Sequence, residues 1–234
     1  MTPRNPALAL LATLPYFASV EPQVLQTIAA RCRLKVIPAN RAIFTEGDAC
    51  LDLCILESGR VKFYRVNTEG REQVLKVFDR RGDAFCLASA FSAGKHIVSA
   101  RAASEVRVCL LDMPTVNRIV SEHPSIGLKL MTTAGEHMAH LVELAEDLAL
   151  KTATARLAKY LQQLAVAEAV AQGAELRLSR DRLPEEELAA MLGTVRVHVS
   201  RSLTNLARAG AIDLERGFIR IRDLTVLRRI AESK

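Results

Sequence analysis

Two short helical patterns that meet at one glycine, with a hairpin pattern directly behind them, constrain this chain more than any other feature. The first runs from Leu183 to Leu192. Pro184 stands near its start, where a missing N–H costs little, and Glu185, Glu186 and Glu187 suit the positive end of the helix dipole. Leu188, Met191 and Leu192 share one apolar face. Gly193 permits a sharp turn, and Thr194 is placed to cap the next helix. In that second helix Val195, Val199, Leu203 and Leu206 face inward, and Arg196, His198, Ser200 and Arg201 face out. Gly210 ends it. Ile212–Leu214 and Phe218–Ile221 then alternate as two short strands around Gly217.

A helix, a tight turn and a second helix with a basic, hydroxyl-bearing outer face match the pattern that fits the major groove of DNA. Arginine holds guanine bidentately or clamps a phosphate, and serine serves either surface. The same spacing occurs in plain helical hairpins with solvated arginines. The hairpin that follows favours a winged helix instead. Charge agrees: from Arg177 onward there are twelve Arg/Lys against eight Asp/Glu, so +4 of the net +6 falls there. With no Trp and 4% aromatic residues, a base-stacking reader of single strands is disfavoured.

Upstream, Pro6–Arg33 reads as short helices, with Leu8, Leu11 and Leu14 in one patch and Val24, Leu25 and Ile28 in another. A β region follows, paced by Gly47, Gly59, Gly70, Gly82 and Gly94 at intervals of 12, 11, 12 and 12 residues. Strands are expected at 51–56, 61–66, 74–78, 85–87, 98–102 and 106–111. Such spacing predicts a compact antiparallel roll. From Pro124 to about Leu148 a helix is expected with two stripes. Ile126, Leu130, Thr133, His137, His140 and Leu144 form one; Leu128, Met131, Met138 and Leu141 form the other. One stripe covers the roll and the other suits a twin helix, which predicts a homodimer. A hinge at 147–151 precedes another amphipathic helix over 153–167.

The run Leu188-Ala-x-x-Leu192-Gly-Thr-Val-Arg196-x-x-Val-Ser-Arg201-x-Leu-x-x-Leu206-x-x-x-Gly210-x-Ile212 resembles the DNA-binding domain of the Crp/Fnr transcription regulators. So does Ile219-x-Ile221-x-Asp223. Gly82-Asp83, Phe91 and Ser104-Glu105-Val106 extend the resemblance into the β region. It implies an α+β chain in three parts: an antiparallel β-roll of the cyclic-nucleotide-binding jelly-roll type with N-terminal helices (1–123), a dimerisation helix and hinge (124–150), and a winged helix-turn-helix domain (151–234). It implies an effector-gated homodimer on double-stranded, palindromic DNA, with RNA polymerase as a partner if it activates. Thr194, Arg196, Val197, His198, Ser200 and Arg201 become the DNA-binding set. Val197 stands where the family commonly has the glutamate of Arg-Glu-x-x-Ser-Arg, so an altered half-site is expected, through apolar contact with a thymine methyl.

The effector is the open question. Cyclic-nucleotide binders carry a Gly-Glu pair for ribose and an Arg-Ser pair for phosphate. Here Leu87 takes the glutamate's place and no Arg-Ser pair follows. A buried phosphate needs charge-assisted donors, so cyclic AMP is not expected. Phe85, Leu87, Lys95, His96, Leu141 and Val142 form the expected effector pocket. Its apolar character, with His96, His137 and His140 as axial ligands, is compatible with haem, and so with a nitric oxide or carbon monoxide sensor of the Dnr/HcpR type; another small molecule or a redox signal is the other reading. An iron–sulfur cluster is disfavoured, since only Cys32 lies near the N-terminus, where the Fnr branch clusters its thiolates. Cys50 and Cys54 on one extended strand stand about 13 Å apart, too far for a disulfide. His137-x-x-His140 is a weak metal signal. The alternatives are a cyclic-nucleotide regulator with a degenerate cassette and a cupin-like metal-binding protein, but His96 is the single histidine of the β region. No P-loop, G-x-S-x-G or H-E-x-x-H motif occurs, so an enzyme is not expected. The N-terminal residues lack a signal-peptide pattern and no run reaches a membrane span, which makes a cytoplasmic protein without a membrane partner the expectation.

Overall fold

The computed structural model describes residues 5–18, 20–91, 94–172, 177–180 and 183–233, with the backbone alone over 167–172. Residues 1–4 and the cassette positions 92–93 of the sequence reading lie outside the described residues. Two compact units are present, one from residues up to 65 together with 75–140, the other from 66–74 together with 141 onward.

The first unit opens with helices α1 (Pro6–Leu11) and α2 (Pro22–Arg31), each begun by a proline in its first turn. Strands β1 (Arg33–Ile37), β2 (Ala42–Phe44), β3 (Asp52–Ser58), β4 (Val61–Val66), β5 (Glu72–Phe78), β6 (Ala84–Phe85), β7 (Ser99–Ala102) and β8 (Val106–Asp112) follow. They make two four-stranded sheets, ordered β1-β8-β3-β6 and β2-β7-β4-β5. All five pacing glycines hold positive φ, from 66° to 96°, so their spacing marks the turns of the roll. β3 shows why its sequence is apolar without alternation. Leu53 and Ile55 pack under α1 and α2, and Cys54 and Leu56 pack into the roll interior, so both faces are buried.

One expected element is corrected by the structure, and others are added to those expected. β1 and β2 lie outside the expected strands. The strand expected at 85–87 stops at Phe85, because Cys86 adopts a left-handed φ of 73° and a helical turn, α3 (Leu87–Ala90), begins. A further helix, α4 (Met113–Glu122), capped by the Asp112 carboxylate on Thr115 N, closes the roll before the long helix.

That long helix, α5, spans Pro124–Leu150. Ile126 and Leu130 are buried, and Thr133, His137, His140 and Leu144 half-buried. The other stripe lies in the open: Leu128, Met131, Met138 and Leu141 are 65%, 71%, 68% and 44% exposed. The helix breaks after Leu150, so the interruption is shorter than the expected hinge. In the second unit α6 (Ala153–Gln172), β9 (Arg177–Ser179), α7 (Glu185–Leu192), α8 (Arg196–Arg208), β10 (Ile212–Glu215), β11 (Phe218–Ile221) and α9 (Leu224–Ala231) enclose one core. Leu157, Leu161, Leu188, Val199, Leu206 and Ile219 are central to it. β9 adds a third strand to the predicted hairpin, in the order β10-β11-β9. Among the described residues no helix is long and apolar enough to cross a membrane.

Candidate nucleic-acid interface and effector site

α8 is built as the sequence predicts. Val199, Leu203 and Leu206 are buried, and Arg196, His198, Ser200 and Arg201 are exposed, with Val197 65% exposed between them. Five side chains of the expected DNA-binding set therefore share one outer face. Thr194 has a different task from the expected one. Val195 occupies the N-cap position, and the Thr194 hydroxyl instead meets His198 Nδ1 at 3.2 Å, fixing that ring at the start of the helix. Gly193 turns with φ 62°, and a Cβ there would stand 2.5 Å from Leu148 and 2.6 Å from the Gln73 amide, so only glycine passes.

The glutamates of α7 are more than partners of the helix dipole. Glu185 does more: its carboxylate receives Arg180 at 3.1 Å and Arg196 at 3.4 Å, while Glu186 meets Arg196 at 3.0 Å. These pairs pre-aim the arginine, yet surface pairs of this kind are worth only roughly 0–1 kcal/mol, so a phosphate or base can replace them. The α8 seat is held from behind. Ser202 is buried against Thr154 of α6 at 3.1 Å, and Arg156 donates to the Leu192 and Lys151 carbonyls at 2.8 and 2.7 Å. Burial works against the Asp147 carboxylate, but the Lys159 and Lys151 ammonium groups hold it below the usual range and fix the join of α5 to α6.

The expected effector residues are dispersed. Phe85 lies in the roll interior and Leu87 in the separate core beneath α1 and α2; both are fully buried. Lys95 is exposed. Leu141 and Val142 are 44% and 64% exposed. In the roll Phe63 packs edge to face with Phe78 and Phe85, which lie tilted against each other, with centroids 4.7–5.8 Å apart, and His137 makes a T-shaped contact with Phe78 at 5.2 Å. Burial, then Lys76 and then His140, lower the His137 pKa to about 4, so this ring is neutral. His140 Nε2–H donates to the Leu75 carbonyl at 3.0 Å. His96 is buried and stacks on Phe44 at 3.6 Å.

All five thiols are free. Cys50 and Cys54 do not stand on one extended strand, because Cys50 precedes β3 in irregular backbone; both approach Cys86. The hydrogen bond from Cys86 lowers the Cys50 pKa, whereas burial first, and its two thiol neighbours next, push Cys86 well up. Cys109 is pushed up by the hydrogen bond its thiol donates to Cys32 and then by burial. Among the described residues no group of three or more His, Cys, Asp or Glu side chains is arranged to hold a metal ion, which removes the support for a cupin-like site.

A β-roll joined to a winged helix by a long helix defines an effector-binding, DNA-binding transcription regulator. Comparison with known proteins agrees. Residues 34–123 match the cyclic nucleotide-binding domain and residues 155–230 the Crp-like helix-turn-helix domain. The chain is 30% identical over 222 residues to the CRP-like cAMP-activated global transcriptional regulator of Mycobacterium tuberculosis, covering 95% of this chain and 98% of that one. It is 25% identical over 217 residues to the cyclic AMP receptor protein of Thermus thermophilus, covering 93% and 96%. The solved structure of FixK2 from Bradyrhizobium japonicum shares the fold, with TM-score 0.71 at 19% identity over 87% of this chain and 98% of that chain. The chain belongs to the Crp/Fnr family of transcription regulators, whose matched members are regulators, not enzymes.

Proposed function

We propose that the chain acts in the cytoplasm as a homodimer that reads a palindromic operator, one α8 helix per half-site, under control of an effector in the β-roll. In this reading residues 1–123 sense, 124–150 pair the chains and 151–234 bind DNA, with RNA polymerase as a partner where it activates. The carrying observation is the outer face of α8, with Arg196, Val197, His198, Ser200 and Arg201 open to solvent over a buried Val199, Leu203 and Leu206. The exposed apolar stripe of α5 supports pairing, since a twin helix would cover it. The effector acts only through its differential affinity for the DNA-competent state.

The effector in this reading is not a cyclic nucleotide, although the mycobacterial relative is named for cAMP activation. Leu87 replaces the ribose-binding carboxylate and is turned into a core, and no Arg-Ser pair follows to hold a phosphate. Haem also fits the residues poorly. His137 and His140 are engaged with Phe78 and Leu75, which leaves His96 as the remaining candidate ligand of the three. A UV–visible spectrum after haem reconstitution, with and without nitric oxide, tests this: no Soret shift is expected.

Selection of sites from random duplexes, with and without cyclic AMP, tests the whole reading. Salt-sensitive binding to a palindrome is expected, with a half-site that departs from the family's where Val197 replaces glutamate, and with no gain from cyclic AMP. An unaltered family half-site would overturn the role of Val197, and a cyclic AMP-dependent gain would overturn the effector reading.

A further inference from the structure

Most arginines of the second unit are held by carboxylates of their own chain. Arg177, Arg180, Arg196, Arg220, Arg222 and Arg228 each form an ion pair with an aspartate or glutamate. Arg201 and Arg208 of α8 are exposed, and neither side chain has a partner among the described residues. Arg216 in the turn between β10 and β11, and Arg229 of α9, are also free of carboxylates there, but they stand outside α8. Helix phase gives the two α8 arginines a common place. Each residue turns an α-helix by about 100°, so Val197, Arg201, Thr204 and Arg208 fall on one line, within about 60° of each other. Leu206 stands opposite Val197, with Val199 and Leu203 beside it, all three buried. Arg196 and His198 lie about 100° to either side of Val197. Thr204 and Arg208 are exposed, so the outermost line of α8 runs about two turns past Arg201.

We propose that Arg208 holds a DNA backbone phosphate, so that the DNA-reading face of α8 extends to its last turn. This rests on the reading of α8 as the recognition helix. Seven residues carry Arg208 roughly 10 Å along the axis from Arg201. The major groove is about 12 Å wide. A helix whose first turns meet base edges therefore brings its last turn to the rim of the groove, where the phosphates run. A guanidinium is permanently charged, and its fork matches phosphate oxygens. No carboxylate holds Arg208, so a phosphate there displaces no ion pair, whereas Arg196 must first leave Glu185 and Glu186. Thr204 lies between the two arginines on the line, but its hydroxyl donates to the Ser200 carbonyl at 3.1 Å, which leaves it no proton for a phosphate. Arg208 also stands in the last turn, where a cation suits the negative end of the helix dipole. That role acts on folding alone, so the salt dependence of DNA binding separates the two.

Anisotropy titration of the full chain on a selected palindromic duplex, from about 50 to about 200 mM salt, is the direct test. Each phosphate contact contributes about 0.9 to the slope of log affinity against log salt. Arg208→Gln removes one contact from each of two chains, so the slope should shrink by about 1.8. Over that roughly fourfold range of salt the unaltered chain should lose about twelvefold more affinity than the variant. The weakening should be uniform across operator variants. Arg208→Lys keeps the charge and should keep the slope. Arg229→Gln removes a charge outside α8 and should leave the slope unchanged. Far-UV circular dichroism and a urea midpoint report the dipole role separately. An unchanged slope in Arg208→Gln, or an equal drop in Arg229→Gln, would overturn the proposal, while salt-sensitive binding by the unaltered chain would keep the regulator reading. Altered preference at one base pair would mark a base contact and overturn the phosphate role. An unaltered chain without salt-sensitive affinity for duplex DNA would sink the regulator reading and this proposal with it.

Discussion

Replacing Met138 by alanine separates the paired chain from a solitary one. Met138 is 68% exposed, while His137 and His140 on the same turn are half-buried. Full burial of a methionine side chain is worth roughly 1.5–3 kcal/mol, so covering two-thirds of it yields roughly 1–2 kcal/mol. A two-fold interface counts each residue twice, for roughly 2–4 kcal/mol, an upper estimate because alanine keeps some contact. The dimer dissociation constant should therefore rise about 30- to 1000-fold. Sedimentation equilibrium of the full chain across nanomolar to micromolar concentrations reads it directly, with far-UV circular dichroism as the check on folding. Alanine is an excellent helix former, so helicity should hold. A dissociation constant unchanged within threefold, at full helicity, would refute the reasoning, for it would mean that this stripe faces water in the working protein.

Arg201→Ala should weaken operator binding by roughly 1–3 kcal/mol and relax preference at one base pair, measured by anisotropy against operator variants; uniform weakening would instead mark a phosphate clamp. His137 has a folded pKa of about 4 against 6.5 when free, so the unfolded chain binds the proton more readily. That contribution is complete above the unfolded value and fades as pH falls from 6.5 to about 4. His137→Phe, which keeps an aromatic ring on Phe78, should flatten this acid limb in urea titrations; an unaltered limb would place its origin elsewhere. At Gly59, with φ 96°, an added Cβ would stand 2.2 Å from the Glu105 carbonyl oxygen. Gly59→Ala should destabilise by at least roughly 1–3 kcal/mol in the same titration, and an unchanged midpoint would show that this turn relaxes.

The recognition helix was legible because two periods and two glycines agree there: Val199, Leu203 and Leu206 mark one face, and Gly193 and Gly210 mark the ends. The roll was legible through its glycine turns. β1 was not, since four of its five residues are exposed and supply no alternation. β9 was hidden because three residues form a strand only when β11 is already in place. At Leu87 the apolar run reads as strand, but the left-handed backbone at Cys86 redirects it into a helical turn. Thr194 carries the chemistry of a cap and yields that position to Val195, because the helix begins one residue later than its side chain suggests. The role of Glu185 needs Arg180 and Arg196 to meet in space, and their separations of five and eleven residues from it leave no periodic trace.

The central claim is that two copies of this chain hold two α8 faces in register on one duplex. Binding stoichiometry and salt dependence on a selected palindromic duplex test it together. Two chains per duplex are expected, with a logarithm of affinity that falls linearly with the logarithm of salt concentration. One chain per duplex, or an affinity indifferent to salt, would contradict it.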